Sequence, residues 1–180
     1  MPWYVLFVTT GYEHKIANVI SRFWDIDGLR PFVPMYDARF RKAGKVILEK
    51  KRWFPGYVFL ESDTRGLDFY LSVKPYLARS ERTLKLLHYG NCNDHLNKSY
   101  EVNEAECGFL HKLLNDERCV ELSQGYIRGT NIIVTNGPLI GHEGLIRSVN
   151  RHKMEATIET SFMGSIREVR IGLEIINRLP

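Results

Sequence analysis

The sequence predicts an α+β N-terminal domain over residues 1–115 and a small all-β barrel over residues 125–180, joined by a short linker at 116–124. Two observations lead to this fold class. In the first part, short apolar strands alternate with amphipathic helical segments, which is typical of an α+β sandwich with one sheet. In the second part, strands of about five residues are separated by glycine-containing turns, which is the pattern of a small barrel.

The composition is that of a folded intracellular protein. The chain has 180 residues, 44% of them hydrophobic, which is enough for one large or two small domains with real cores. The net charge of +4 is compatible with contact to a polyanion but is not diagnostic of it. Cys92, Cys107 and Cys119 form no CxxC pair. This argues against a disulfide framework or a zinc site and favours a reducing cytosol.

Signals for a membrane or for catalysis are weak. The apolar run over residues 1–8 lacks a basic flank and is too short for a signal sequence or a span, so no membrane partner is expected. The histidines form no HExxH pattern, and residues 137–144 lack the Lys-Ser/Thr of a phosphate-binding loop. We therefore expect no enzyme activity, no catalytic residue, no metal and no cofactor. A Cys–His dyad formed in space stays open as an alternative.

Apolar periodicity places the first elements in order. Trp3–Val8 is predicted to form a buried strand, and residues 13–25 an amphipathic helix, because their apolar residues recur at helical spacing. Leu29–Val33 is predicted to form a second strand. Further along, a short helix over Leu67–Val73 precedes a predicted strand over Tyr76–Arg79.

A third helix is predicted after a loop over residues 88–99. Asn103 suits the N-cap position, and Glu106, three residues on, suits a capping box. The apolar face of this helix is Phe109, Leu110, Leu113 and Leu114.

Residues 38–52 predict a basic β-hairpin with its turn at Ala43-Gly44. A cationic ribbon of this kind can follow a phosphate backbone or lie in a groove. A solvated charged hairpin is the plainer alternative, which charge alone favours. The candidate DNA-binding cations are Arg39, Arg41, Lys42, Lys45, Lys50, Lys51 and Arg52.

The strand Tyr57–Glu61 is apolar at alternate and adjacent positions, so both of its faces need a cover. If this strand lies beside the first one, Phe7, Tyr57 and Phe59 share a face and form a patch able to seat a partner helix. Ordinary core is the alternative, and the residues alone favour it.

Four strand signals in the second domain are Ile132–Val134, Gly144–Ile146, Met154–Glu159 and Ile166–Ile171. The turn before the third of them, Asn150–Lys153, carries Arg151, His152 and Lys153. Cations in a hairpin turn can meet RNA phosphates, and Arg or His can stack on an unpaired base. A merely soluble turn is equally consistent with these residues. Arg147, Arg167 and Arg170 on the flanking strands would extend an RNA footprint.

The two halves, in this order, resemble the NusG family. The stretches WYVLFVTTGYEHKIANVI and KRWFPGYVFLE resemble the NusG N-terminal (NGN) domain, and VTNGPLIGHEGLIRSVNRHKMEATIETSFMGSIREVRI resembles a KOW domain. Together they cover nearly the whole chain. The resemblance implies an antiparallel sheet flanked by helices, followed by an SH3-like barrel.

The resemblance also implies a transcription elongation factor that suppresses pausing and termination while the chemistry stays in RNA polymerase. Phe7, Tyr57 and Phe59 would bind the clamp helices of the largest polymerase subunit. The basic hairpin and Lys15 would face the upstream DNA fork or the non-template strand. The protein would be a monomer in the bacterial cytoplasm, associated with the nucleoid through the elongation complex.

The end of the chain, NRHKMEATIETSFMGSIREVRIGLEII, looks most like the specialised paralogue LoaP, an antiterminator of particular operons. This implies a leader RNA hairpin as a partner, read through Arg147, Arg151, His152, Lys153 and Arg170. Two alternatives stay open: a general factor that couples polymerase to Rho or ribosomal protein S10, and a KOW-type RNA-binding protein acting away from polymerase. Met163 stands where the general factor usually carries an aromatic residue.

Overall fold

The computed structural model describes residues 1–80, 83–90 and 99–176, without the side chains of Arg41 and Lys42. Cys92 and most of the loop predicted over residues 88–99 lie outside the described residues. The chain forms two compact units. Unit 1 combines residues 1–33 with 54–107, and unit 2 combines residues 34–53 with the chain from Gly108 onward. The predicted domain limits at 115 and 125 stay a prediction.

The helices are α1 (Glu13–Phe23), α2 (Gly66–Arg79) and α3 (Glu104–Leu113). The strands of the described residues are β1 (Trp3–Phe7), β2 (Arg30–Phe32), β3 (Met35–Lys42), β4 (Lys45–Arg52), β5 (Tyr57–Glu61), β6 (Lys85–Leu86), β7 (Cys119–Val120), β8 (Ser123–Arg128), β9 (Asn131–Asn136), β10 (Ile146–Asn150), β11 (Glu155–Phe162) and β12 (Ser165–Ile175).

Unit 1 is built on an antiparallel sheet with the strand order β2-β5-β1-β6. The first and third predicted strands are neighbours, as β1 and β5. Their register places Val5 opposite Phe59 and Phe7 opposite Tyr57. Directly opposed residues of an antiparallel pair point to the same face, so these four side chains share one face of the sheet.

Helix α2 corrects one prediction, since Tyr76–Arg79 is the last turn of this helix and not a strand. The helix continues through Pro75, although proline in a helix interior costs about 3 kcal/mol. Packing offsets this cost: the Tyr76 ring stacks on Trp24 with centroids 4.9 Å apart, and its hydroxyl accepts a hydrogen bond from the Asp25 amide at 2.8 Å.

Helix α3 begins as its cap predicts. The Glu106 amide donates to the Asn103 side-chain oxygen at 2.8 Å, which satisfies one of the free amides at the helix start. The Tyr89 hydroxyl completes the cap by accepting from the Asn103 amide and donating to the Glu106 carboxylate.

Unit 2 contains a half-barrel sheet with the order β10-β11-β12-β8-β9 and a smaller sheet with the order β4-β3-β7. Strand β8 was missed, because its sequence SQGYIR lacks the apolar run that marks a buried strand. Residues 143–145 form a 3-10 turn, so the strand predicted at Gly144–Ile146 instead begins at Ile146.

The basic hairpin is confirmed, with its turn at Ala43-Gly44, although β3 begins earlier than predicted, at Met35. The predicted fold class is confirmed as well. The N-terminal region is α+β and the C-terminal region is a β half-barrel, as expected of an NGN plus KOW-like fold.

Candidate functional site

Of the three aromatic residues predicted to form a patch, Phe7 and Tyr57 are accessible to solvent and Phe59 is buried. Phe7 is 46% exposed, Tyr57 is half-buried, and their rings meet edge to face at 5.7 Å. Phe59 is fully buried, because Trp3, Phe32 and Phe54 surround its ring at centroid distances of 5.4 to 6.0 Å. The prediction that Phe59 belongs to the exposed patch is therefore wrong.

A buried carboxylate fixes the chain around the exposed pair. Glu13 is fully buried, and its two oxygens accept from the Gly56 amide at 2.7 Å and from the Gly11 amide at 2.9 Å. Gly56 has a φ of +86°, and an added Cβ would lie 3.1 Å from the Thr10 hydroxyl oxygen. The turn that leads into Tyr57 thus requires glycine and is tied to the first turn of α1.

Glu13 was missed at the level of sequence, because a charged residue in the first turn of a helix normally indicates a solvated position. The nearby positive-φ glycines supply the donors that keep this carboxylate inside the unit.

Lys15 lies at the surface of α1, with its ammonium nitrogen 5.7 Å from the centre of the Tyr12 ring. It borders a mostly apolar groove of about 460 Å³. The groove is lined by Thr9, Tyr12, Lys15, Ile16, Val19, Ile20, Trp24, Thr83 and Leu84. The predicted cation is therefore accessible, beside an apolar surface that the sequence did not indicate.

The hairpin cations are partly neutralised within unit 2. Three of the described ones have carboxylate partners: Arg39 with Glu174 at 2.6 Å, Lys50 with Glu117 at 2.6 Å, and Lys51 with Glu155 at 2.9 Å. Lys45 is exposed at the turn, and Arg52 is half-buried. The side chains of Arg41 and Lys42 lie outside the described part of the chain.

The base of the hairpin is seated on the half-barrel. A Cβ added at Gly172 would overlap the Asp37 carbonyl oxygen. Strand β3 can therefore cross β12 closely at this point because residue 172 is a glycine. The Tyr36 hydroxyl donates to the Glu155 carboxylate at 3.0 Å, and β3 pairs in parallel with β7. The hairpin and the half-barrel therefore act as one body in unit 2.

The predicted RNA-binding cations cluster at one groove of about 600 Å³ beside the β10–β11 turn. Its lining is Ser148, Val149, Asn150, Arg151, His152, Lys153, Glu155, Thr157 and Arg170. We call this the tip groove. Ser148, Thr157 and Arg170 stand opposite one another across three strands, so their side chains form one row on its face.

Arg167, which was predicted to extend the RNA footprint, does not line the tip groove, and neither does Arg147. The Arg147 guanidinium makes two hydrogen bonds to Glu159, at 2.9 and 3.2 Å. This contact raises the pKa of Arg147 and lowers the pKa of the Glu159 carboxyl. Both groups are solvent-exposed, so we attach little stability to the pair.

The described residues show no metal-binding cluster and no membrane-spanning helix. Within residues 1–80, 83–90 and 99–176, no three His, Cys, Asp or Glu side chains are grouped to hold a metal ion. In the same part of the chain, no helix has the length and apolar character needed to cross a bilayer.

Comparison with known proteins bears on the class of protein. Residues 1–89 match the family described as "Transcription termination factor nusG". A protein of Pasteurella multocida named "Transcription termination/antitermination protein NusG" is 20% identical over 182 residues, covering 98% of this chain and 94% of the relative. A protein of the same name from Haemophilus influenzae is 22% identical over 183 residues, with the same coverage.

Residues 1–89, just under half of this chain, are thus similar to a family described as transcription termination factors. The similarity to the two NusG proteins, at 20% and 22% identity, extends along nearly the whole of this chain.

Proposed function

We propose that this protein is a transcription elongation and antitermination factor that binds RNA polymerase through unit 1. The observation that carries the proposal is the exposed Phe7–Tyr57 pair, held in place by the Glu13 carboxylate, on the part of the chain that matches the family. Two aromatic rings at the end of a sheet suit the apolar face of a partner helix. The occupant we propose is a clamp helix of the largest polymerase subunit.

The basic hairpin and Lys15 are the proposed DNA contacts, at the upstream fork or on the non-template strand. The exposed side chain of Lys15 supports this role, as does the exposed position of Lys45 at the hairpin turn. The ion pairs of Arg39, Lys50 and Lys51 mean that nucleic acid must compete with Glu174, Glu117 and Glu155 for these three cations. Contacts of this kind bind phosphate without reading sequence.

The tip groove is the proposed RNA contact, which makes the factor LoaP-like and specific to an operon with a cognate leader RNA hairpin. Support comes from the grouping of Arg151, His152, Lys153 and Arg170 with hydroxyl groups along one face. Guanidinium, imidazole and hydroxyl groups suit the phosphates, unpaired bases and 2′-hydroxyls of RNA. We place this activity in the bacterial cytoplasm, carried out by a monomer on the elongation complex.

A general NusG-type factor is the second candidate, and the full-length match to the two NusG relatives favours it. The proposed contact with Rho or ribosomal protein S10 would use the turn between β11 and β12. There Phe162 is buried, and Met163 is the partly exposed apolar side chain. A thioether offers less rigid contact area than the aromatic ring that the general factor usually carries.

Transcription in vitro through an intrinsic terminator separates the two candidates. Templates with and without the cognate leader are compared, with and without the protein. The LoaP-like proposal predicts that readthrough rises only when the leader is present. Leader-independent effects together with strong Rho or S10 binding would replace it with the general factor. RNA binding without any effect on polymerase would indicate an RNA-binding protein that acts elsewhere.

A further inference from the structure

The tip groove has an acidic residue among its cations. Glu155 is 4% exposed and lines the groove together with Arg151, Lys153 and Arg170. A carboxylate near a bound phosphate opposes binding, because like charges repel strongly where water is partly excluded. RNA binding by this groove therefore depends on how the charge of Glu155 is balanced.

Two residues of the basic hairpin stabilise the charged carboxylate of Glu155. The Lys51 ammonium and the Tyr36 hydroxyl both donate to the same oxygen of Glu155, at 2.9 and 3.0 Å. Tyr36 and Lys51 stand opposite each other on β3 and β4, so one cross-strand pair provides both donors. Burial and the nearby Glu155 charge raise the pKa of Tyr36, so its hydroxyl stays protonated and remains a donor.

The packing of the basic hairpin on β12 holds Lys51 and Tyr36 against Glu155, next to the tip groove. Gly172 is opposite Glu155 in the β11–β12 register, and it is the residue over which the Asp37 backbone passes. Arg39 adds a second link to Glu174 on β12 at 2.6 Å. Moving the hairpin away from the half-barrel would leave the carboxylate in the groove without these two donors.

We propose that the base of the basic hairpin is an electrostatic part of the tip groove: Lys51 neutralises Glu155 and Tyr36 hydrogen-bonds to it, so that the groove accepts an RNA phosphate backbone. Lys51 is a positioning residue here, acting on RNA through Glu155. The inference rests on the proposed RNA-binding role of the groove. It also implies that RNA binding and the docking of the basic hairpin on the half-barrel favour each other, because coupling between two sites is reciprocal.

A double-mutant cycle that removes the charges of Lys51 and Glu155 tests the inference. Affinity for a fluorescein-labelled, mixed-sequence single-stranded RNA of about 20 nucleotides is measured by anisotropy at several salt concentrations. The variants are Lys51→Gln, Glu155→Gln and the double variant. Lys112→Gln is the matched control, because it removes an exposed cation of the same unit to which no nucleic-acid contact is assigned. Lys51→Arg is the conservative variant that should retain binding.

Lys51→Gln is expected to weaken RNA binding about fivefold, the effect of one uncompensated charge near a phosphate at intermediate dielectric. Glu155→Gln should tighten binding, and the double variant should return to the wild-type affinity or better. Lys112→Gln should leave the affinity unchanged within about twofold. A double variant as weak as Lys51→Gln would mean that Lys51 contacts the phosphate directly, and the inference would fail.

Two further readouts separate the possible failures. Urea unfolding of each variant shows whether a loss of affinity only follows a loss of folded protein, which would also overturn the inference. Arg151→Ala combined with Lys153→Ala tests the groove itself. If that variant binds RNA normally, the proposed RNA site fails. If it binds weakly while Lys51→Gln has no effect, the role of the hairpin alone fails.

Discussion

At the scale of single residues, the exposure of a side chain depends on its neighbours more than on its residue type. Phe7 and Phe59 are both aromatic and lie on the same face of the sheet, yet one is 46% exposed and the other fully buried. The difference arises because Trp3, Phe32 and Phe54 cover the inner part of that face. Only the outer part is available to a partner.

Truncating the two rings of β5 should therefore have unlike effects. Phe59→Ala removes a fully buried ring and is expected to cost about 3–5 kcal/mol of unfolding free energy. Tyr57→Ala removes a half-buried ring at the sheet end and should cost well under half of that. Urea denaturation of the two variants measures both values. Equal costs would contradict the burial described for these residues.

Glu13 gives a second prediction at this scale. Glu13→Gln leaves one carbonyl acceptor for two backbone donors, so either the Gly11 or the Gly56 amide loses its partner. An unsatisfied buried donor costs about 1–3 kcal/mol, and the turn before Tyr57 should loosen. Denaturant unfolding and amide exchange at Gly56 report these changes. Glu104→Gln, at an exposed site in the first turn of α3, is the control and should be nearly neutral.

At the scale of elements, the hairpin shows what sequence can and cannot predict. Its strands and its Ala43-Gly44 turn follow from local chemistry, because positive-φ residues are needed at a tight turn. Its seat on the half-barrel does not, since Gly172 is far from Asp37 in sequence and no local pattern joins them. The same holds for Glu155, whose burial depends on Tyr36 and Lys51.

The tip groove and helix α2 show the same contrast between local pattern and long-range packing. The predicted RNA-binding cations of the turn meet at one groove because they are adjacent in sequence and Arg170 is in register with them. Helix α2 was predicted too short, because the contact that extends it past Pro75 comes from Trp24. Long-range packing thus accounts for the errors at α2 and Phe59, and local pattern for the confirmed basic hairpin.

The seat of the hairpin can be tested by adding one methyl group. Gly172→Ala would force β3 away from β12, because the new Cβ overlaps the Asp37 carbonyl oxygen. Overpacking of this kind costs about 1–3 kcal/mol. Amide exchange in β3 should accelerate together with a lower unfolding midpoint. Gly144→Ala adds the same methyl group where no atom lies within 4 Å, so it should leave both readouts unchanged.

At the scale of the whole molecule, the three proposed binding surfaces are divided between two units. Unit 1 carries the aromatic pair, and unit 2 carries the hairpin and the tip groove. A factor of this design would work by binding one conformation of the polymerase better than another, which shifts the balance between elongation and pausing. In the proposed function the aromatic pair matters most, because it supplies the proposed contact with the polymerase.

Polymerase binding through the aromatic pair is tested by the affinity of RNA polymerase for the Phe7→Ala/Tyr57→Ala variant, measured by titration of the labelled protein with core enzyme. Loss of both rings should weaken binding by about tenfold or more, as expected for aromatic anchors at an interface. Phe23→Ala removes a ring that is 71% exposed at the end of α1 and should bind normally. Wild-type affinity in a folded double variant would contradict the proposed contact between the Phe7–Tyr57 pair and the polymerase.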